Sequence, residues 1–345
     1  MTVGPAPLNA ESSRAAKTIV GDLWRALLRT QNVAAALESC AAADLHLQAF
    51  HPVNELRGLD AFARDFIAPL CRAFPDLQRR PYISIAGEHR GSTWVATTGD
   101  FMGSLMKEWL DIPPCGHSVH IRFGEFCRVE GGRVRDIMLL LDLVSLLRQG
   151  GRQPLPPESG DTSWIPGPRA GDGLRQSGAD PANSARSLEL VLAMIDGLND
   201  YDGKTLASMG MTRFWTEDMR WYGPAGIGST VALAGFEGHH QIPFLRAFPD
   251  RVGGTEDTVW IAEGAYVACA GFPVLHMRHL GPYLGHPATG RPVTMRGIDW
   301  WRRDGDRLAE NWVFVDLPHF FDQLDVDLRQ RDLSAGGHAG GAVKG

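Results

Sequence analysis

The feature that most constrains this chain is an internal repeat. The segment 72–76, with the sequence RAFPD, returns at 246–250, which is 174 positions later (246 − 72). Four more pairs keep the same spacing: Gly116 and Gly290, Arg122 and Arg296, Gly131 and Gly305, Asp142 and Asp316. A constant offset over several landmarks indicates an internal duplication. Two copies predict a pair of domains and not a solenoid.

Length, charge and cysteine content limit the class of protein. A chain of 345 residues is too long for one hydrophobic core and suits two domains. The net charge of −6 supplies no basic surface, which argues against nucleic acid as a partner. Five scattered cysteines without a C-x-x-C pair fit a reducing compartment. Because residues 1–13 lack a signal-peptide pattern and the apolar run 137–147 is too short for a bilayer, we expect a cytoplasmic protein without a membrane partner.

Both halves show helical patterns first and strand patterns afterwards. In the first half, residues 11–30 are amphipathic with helical spacing, and further helices are predicted at 33–42 and 59–72. Between 82 and 142, alternating apolar residues separated by Gly turns predict strands. The second half repeats this order. Such an order is typical of an α+β domain.

A segment rich in Pro and Gly separates the two copies. It includes the runs QPLPPESG at 153–160 and PGPRAG at 166–171, which predict an extended linker without regular structure. We therefore place a first domain at residues 11–150, the linker at 151–182 and a second domain at 183–330. The Gly-rich tail at 331–345 is predicted to be disordered.

Several motifs of both copies resemble one family. In the first copy they are His51-Pro52, Gly58-Leu59-Asp60, Ala73-Phe74-Pro75-Asp76, Gly99-Asp100-Phe101-Met102-Gly103, Pro113-Pro114-Cys115-Gly116 and Asp142. In the second they are Gly235-Phe236-Glu237, Ala247-Phe248-Pro249-Asp250, His279-Leu280-Gly281-Pro282-Tyr283-Leu284-Gly285, Ala288-Thr289-Gly290, Trp312 and Asp316. Together they resemble the SnoaL-like polyketide cyclase branch of the nuclear transport factor 2-like (NTF2-like) superfamily. The resemblance implies two tandem cone-shaped α+β domains, each a curved and mainly antiparallel sheet wrapped around helices, whose sheets pack together like those of a dimer of single-domain relatives.

The late aspartates are the first candidates for catalysis. In the cyclases that this chain resembles, the residue matching Asp142 and Asp316 is the general acid/base, and no metal or cofactor takes part. Both follow the apolar run of a last strand, where desolvation would raise the pKa of a carboxyl toward the range useful for proton transfer. The alternative is that each aspartate caps the helix that follows. His51 and His279 are candidates to orient or share the proton, or are structurally bonded imidazoles.

A second group of residues is assigned to substrate binding. Arg122 and Arg296 bind a phenolate or enolate oxygen, or pair with Glu125 and Asp299, and we favour the pairing. The aromatic residues suit a flat hydrophobic ligand, although such residues on strands more often belong to the core. The full set assigned to substrate binding is Trp94, Trp109, His120, Arg122, Tyr222, His276, Arg296, Trp300 and Trp312.

No stretch offers metal ligands at usable spacing, and His239 and His240 are predicted to lie on the surface. The predicted function is cofactor-free acid/base catalysis on a hydrophobic aromatic or polyketide-like molecule, by aldol or retro-aldol chemistry, cyclisation, dehydration or isomerisation. The alternative is a non-catalytic protein that binds small molecules or acts as a scaffold. A homodimer remains open. Because His51 and Asp142 occur together with Trp109 as a candidate lid residue, we expect the working site in the first domain.

Overall fold

The structure is a computed structural model that describes residues 6–29, 33–162, 164–253 and 258–334. Most of the tail that was predicted to be disordered, residues 335–345, lies outside these residues. Among the described residues, no helix is both long enough and apolar enough to cross a membrane.

The first domain places its helices against one face of a six-stranded sheet. The strand order is β2-β1-β6-β5-β4-β3, and all neighbours are antiparallel except β1 and β6. Its elements are α1 (Ala10–Arg29), α2 (Val33–Cys40), β1 (Ala41–Ala49), β2 (Glu55–Arg57), α3 (Leu59–Ala61), a π-helical turn (Phe62–Ile67), α4 (Ala68–Ala73), β3 (Gln78–His89), β4 (Ser92–Ser104), β5 (Ser118–Glu130), β6 (Arg133–Leu141) and α5 (Leu143–Gln149).

The second domain repeats this plan. Its main path is β10-β11-β12-β13-β7-β8, with β9 added on β11 and a parallel pair between β13 and β7. Its elements are α6 (Pro181–Asn199), two 3₁₀ turns (Leu206–Met209 and Met211–Arg213), β7 (Trp215–Tyr222), β8 (Thr230–Val231), α7 (Ala232–Phe236), a π-helical turn (Glu237–Gln241), α8 (Ile242–Ala247), β9 (Val252–Gly253), β10 (Val259–Glu263), β11 (Tyr266–Arg278), β12 (Pro292–Asp304), β13 (Arg307–Val315) and α9 (Leu317–Asp322).

The predicted fold class is confirmed: the chain forms two tandem NTF2-like α+β domains with open, mainly antiparallel sheets. The first helix shows how the sequence specifies the packing. Val20, Leu23, Trp24 and Leu27 of α1 are buried, and their spacing of three or four residues puts them on the face that meets the sheet. The helix predicted at 59–72 is present, but a π-helical turn interrupts it, and the second copy has the same interruption.

Between α5 and α6, the described residues of the segment 150–180 form no helix or strand, and Asp161 makes an isolated bridge to Ser229. The segment is nevertheless packed against the second domain. The indole nitrogen Nε1 of Trp312 donates to the carbonyl of Pro166 (3.0 Å), and the hydroxyl of Tyr266 donates to Asp172 (2.5 Å). The described part of the linker therefore contains turns without helix or strand, and hydrogen bonds hold it in place.

The two sheets meet face to face through closely packed residues. Gly124 of β5 lies under the rings of Trp300 and Phe314, and a Cβ atom at Gly124 would come within 3.0 Å of both rings. Phe126 contacts Trp300 with ring centroids 6.0 Å apart. A glycine is needed at position 124 because the partner sheet occupies the space of a side chain. The interface is therefore part of the hydrophobic core of the molecule.

Candidate active site

A cavity of about 240 Å³ lies in the second domain, among α6, the helical segment 232–247 and strands β11 to β13. Aromatic side chains form much of its wall. The indole of Trp221 stacks on the imidazole of His240 (centroids 4.3 Å apart), and Trp260 stacks on Trp301 (5.9 Å). Such a wall suits a flat and largely apolar molecule.

Asp299 of β12 presents a carboxyl group to this cavity. It pairs with Cys269 on one neighbouring strand and with Val313 on the other, and all three residues line the cavity. Within the described part of the chain, its Oδ1 atom has no hydrogen-bond partner. Asp299 is half-buried and lines the cavity. Burial raises the pKa of Asp299 to about 8, because the charged form loses its hydration.

Two polar residues of the π-helical turn also reach the cavity. His240 and Gln241 both line it, and neither the Nδ1 atom of His240 nor the Oε1 atom of Gln241 finds a hydrogen-bond partner among the described residues. Burial lowers the pKa of His240 to about 3, so that its imidazole is neutral at physiological pH. π-helical turns frequently occur at functional sites, and here the turn carries, beside the cavity, two buried polar atoms without a partner in the described part of the chain. His240 was predicted to lie on the surface, and this prediction is wrong because three aromatic rings, of Trp221, Phe236 and Phe244, surround it.

The first domain has a carboxyl at the equivalent strand position, but there it is fully paired. Glu125 lies 174 positions before Asp299 and is completely buried. The indole nitrogen of Trp24 donates to Glu125 Oε2 (2.6 Å), and the guanidinium of Arg79 forms an ion pair with Oε1. The Arg79 guanidinium also lies 4.5 Å from the ring centroid of Phe123. These side chains occupy the interior of the first domain.

The hollow in the second domain follows from smaller residues at the equivalent positions. Trp24, Arg79, Phe101 and Phe123 of the first copy correspond, at the constant offset of 174, to Leu198, Gly253, Leu275 and Gly297. Strand pairing supports this correspondence, since Arg79 pairs with Phe101 and Gly253 pairs with Leu275. All four of the smaller residues line the cavity. The cavity is therefore the space that four large side chains fill in the first domain.

The predicted catalytic aspartates lie elsewhere, at the interface between the domains. Asp142 Oδ1 accepts from the backbone nitrogen of Ser145 (3.1 Å) and Asp316 Oδ1 accepts from that of His319 (3.1 Å), so both cap helices. In addition, Asp142 Oδ2 accepts from the backbone nitrogen of Ala225 (2.9 Å). In the matching contact, the backbone nitrogen of His51 in the first domain donates to Asp316 Oδ2 (2.9 Å). Burial raises the pKa of Asp316 to about 6, although Arg296 opposes the rise.

The two arginines complete this reciprocal arrangement. Arg122 donates to the carbonyl of Gly223 (2.9 Å), and Arg296 donates to that of Ala49 (3.0 Å), so each arginine reaches into the other domain. Arg122 and Arg296 also lie 3.9 and 3.4 Å from their own domain's late aspartate. The favoured pairing of these arginines with Glu125 and Asp299 is wrong, because Glu125 pairs with Arg79 and Asp299 has no ion-pair partner among the described residues.

The remaining predicted residues are also dispersed. Trp109 packs in the first core between Phe50 and Phe74, and His279 is buried with its Nδ1 atom 3.3 Å from Thr289. Trp300 and Trp312 are fully buried, whereas His276 is exposed.

Tyr222 contacts Glu310 through its hydroxyl (3.4 Å), and the backbone of His120 pairs with Gln149. Trp94 lines a surface recess with Phe272. Among the residues described, none of the predicted site residues lines the cavity.

No group of three or more His, Cys, Asp or Glu side chains within the described ranges is arranged to hold a metal ion. A comparison of the two copies would have found the cavity, because large residues become small at matching interior positions while an acidic residue is kept. That signal lies in the sequence, outside the family motifs.

Part of the chain is similar in fold to several proteins of known structure. A search of curated proteins finds no match. Among solved structures, AclR from Streptomyces galilaeus, provisionally assigned as a hydroxylase, is 20% identical; the match covers 39% of this chain and 94% of AclR, with a TM-score of 0.33. IdmH from Streptomyces antibioticus, provisionally assigned as a polyketide cyclase, is 18% identical over 39% of this chain and 97% of its own, with a TM-score of 0.34. An NTF2-like protein from Burkholderia thailandensis E264 is 18% identical over 39% and 96%, with a TM-score of 0.31.

The family model for SnoaL-like polyketide cyclases matches residues 18–150 and again residues 193–324. The two matches together cover more than half of the chain, and they coincide with the two sheets and their helices. The chain therefore belongs to the SnoaL-like polyketide cyclase family, of which it carries two tandem copies.

Proposed function

We propose that the second domain is a cofactor-free acid–base catalyst acting on a hydrophobic, ring-bearing small molecule, with Asp299 moving the proton. The observation that carries the proposal is the unpartnered carboxyl of Asp299 in a cavity with aromatic walls. A pKa of about 8 keeps the protonated and ionised forms close in free energy near neutral pH, as a general acid/base requires.

The proposed chemistry is proton transfer next to a carbonyl group. The Asp299 carboxylate takes a proton from the carbon beside the carbonyl, and the resulting enolate attacks a second carbonyl carbon of the same molecule. A carbon–carbon bond forms, and the new alkoxide takes the proton back from Asp299. In an isomerisation, the proton returns instead to another carbon of the conjugated system. Neither route consumes an oxidant or a reductant.

The surroundings of Asp299 support this role. The low polarity of the wall destabilises the carboxylate and thereby strengthens it as a base. In the tautomer that carries its proton on Nδ1, the neutral imidazole of His240 can donate a hydrogen bond to the oxygen on which charge develops. We assign a structural role to the first domain, because its equivalent carboxyl is held by Trp24 and Arg79 in a filled interior.

Deuterium incorporation into a bicyclic ketone such as 2-tetralone tests the proposal without knowledge of the natural substrate. In D₂O, the wild-type protein should accelerate exchange of the protons beside the carbonyl. Asp299→Asn keeps the size of the side chain but removes the proton acceptor. It should lower the exchange rate by about 10²–10⁴-fold, the usual contribution of a general acid/base, while ligand binding measured by calorimetry is retained.

Two matched variants distinguish this proposal from the prediction based on family motifs. Asp142→Asn and Asp316→Asn remove the same kind of carboxyl from the domain interface and should leave the exchange rate close to that of the wild type. If one of them abolishes exchange while Asp299→Asn does not, the catalytic role belongs to the late aspartate. A wild-type protein that binds the ketone without exchanging its protons would instead support the binding alternative.

A further inference from the structure

A second recess adjoins the cavity of the second domain. It has a volume of about 510 Å³ and is more polar than the cavity. Asn199, Leu245 and Arg251 line both spaces, so these three side chains form the wall that the recess and the cavity share. A ligand that occupied both spaces would pass between these side chains.

The recess carries a concentration of positive charge. Lys204, Arg246 and Arg251 all line it, and its described lining contains no acidic side chain. Lys204 and Arg246 are exposed, and within the described residues neither side chain forms an ion pair. Arg251 is half-buried and donates to the carbonyl of Leu198 (3.3 Å). In a chain with a net charge of −6, three unneutralised cations at one opening mark a site for an anion.

The first domain lacks the innermost of these cations. At the offset of 174, Arg251 corresponds to Leu77, whereas Arg246 corresponds to Arg72 of the same RAFPD motif. The cation at the junction therefore occurs only in the copy that has a cavity. This coincidence connects the charge with the use of the cavity and not with the fold that both copies share.

We propose that the second domain binds a ring-bearing carboxylic acid in an extended pose, with the ring in the cavity and the carboxylate in the basic recess. This inference rests on the proposed function and adds the class of substrate. The carboxylate is disfavoured in the cavity itself, because the mainly apolar wall would desolvate it. At the recess, the guanidinium and ammonium groups supply charge-assisted hydrogen bonds in contact with water.

Isothermal titration calorimetry with paired ligands tests the pose. The ligands are 2-naphthyl alkanoic acids with one to four methylene groups and their carboxamides, which differ only in charge at the end of the chain. For the chain length that fits best, the wild-type protein should bind the acid about tenfold more tightly than the amide. The double variant K204Q/R246Q should lose most of this preference, with the affinity for the amide unchanged.

Arg72→Gln is the matched control, because it removes the same motif arginine from the first domain, and it should alter neither affinity. An acid that is not preferred at any chain length, or a preference that survives in K204Q/R246Q, would overturn this inference. If the amides still bind and ketone exchange still depends on Asp299, the proposed function survives that failure. If neither acid nor amide binds, both proposals fail.

Discussion

Asp299→Asn should reveal the unusual protonation of this carboxyl through stability alone. The pKa of an aspartate in an unfolded chain is about 4, and burial raises the pKa of folded Asp299 to about 8. Between these two pH values, the folded protein holds a proton that the unfolded chain has lost. The contribution of Asp299 to wild-type stability is therefore complete below about pH 4 and is lost as the pH rises through about 8.

The size of the effect follows from the two pKa values. The free energy of unfolding should fall by about 1.4 kcal/mol for each pH unit between them, which amounts to about 5 kcal/mol in total. Water that enters the cavity would stabilise the carboxylate, so a loss of about 3–5 kcal/mol is the working expectation. Asparagine does not titrate, and the stability of Asp299→Asn relative to the wild type should increase steadily from about pH 5 to about pH 8.

Urea unfolding followed by tryptophan fluorescence measures this difference, since several tryptophans lie around the cavity of the second domain. Any constant cost of placing an amide at this position cancels when the pH dependence is compared. Asp250→Asn is the control, because the pKa of Asp250 shifts in the opposite direction: hydrogen bonds from Arg278 lower it. The free energy of unfolding that this variant loses relative to the wild type should therefore stay constant from about pH 5 to about pH 8. If the difference in the free energy of unfolding between Asp299→Asn and the wild type did not change with pH, the raised pKa of Asp299 would be refuted.

Three further predictions concern the frame around the site. Glu125→Gln should lower the free energy of unfolding by about 3–5 kcal/mol, since it leaves the buried guanidinium of Arg79 unpaired. If urea unfolding gave a free energy within about 1 kcal/mol of the wild-type value, the ion pair between Glu125 and Arg79 would be contradicted. Gly124→Ala should lower the free energy of unfolding by about 1–3 kcal/mol, because the new methyl group would lie 3.0 Å from the rings of Trp300 and Phe314. An unchanged melting temperature in scanning calorimetry would show that the sheets are not in contact here. Asp142→Asn should retain the helix cap. Asp142→Ala should lower the free energy of unfolding by about 1–3 kcal/mol, because it leaves the backbone nitrogens of Ser145 and Ala225 without an acceptor. Equal melting temperatures for the two variants would exclude this capping role.

The order of elements could be predicted from the sequence because it depends on local patterns, whereas the packing of the two sheets was implied by the family resemblance. The spacing of Val20, Leu23 and Leu27 defines the helix face, and Gly and Pro mark the turns and the linker. The π-helical turns could not be predicted, because propensity does not distinguish them from an α-helix of the same composition. The second of these turns places His240 among aromatic rings, and the prediction of a surface histidine failed for this reason.

The candidate site could not be predicted from family motifs because a cavity is defined by side chains that are small or absent. Gly253 and Gly297 carry no chemistry of their own, and their role appears only when Arg79 and Phe123 are seen to fill the same positions in the other copy. Asp299 appeared in the sequence as a partner for an arginine. Its isolation depends on contacts across strands that the order of residues does not specify.

The duplication itself explains why the most obvious repeated residues lie away from the cavity. Arg122 and Asp142 hold the second domain, and Arg296 and Asp316 hold the first, so each pair satisfies backbone groups of the opposite copy. Loss of any one of them would leave buried polar groups unsatisfied at the interface, which restricts change in both copies. The interiors of the two domains are separate, so their side chains can change independently. Trp24 fills the first interior, whereas the second contains a cavity lined by Asp299. In this tandem protein, the matching Arg and Asp pairs lie at the interface, and the proposed site lies where the interior residues of the two copies differ.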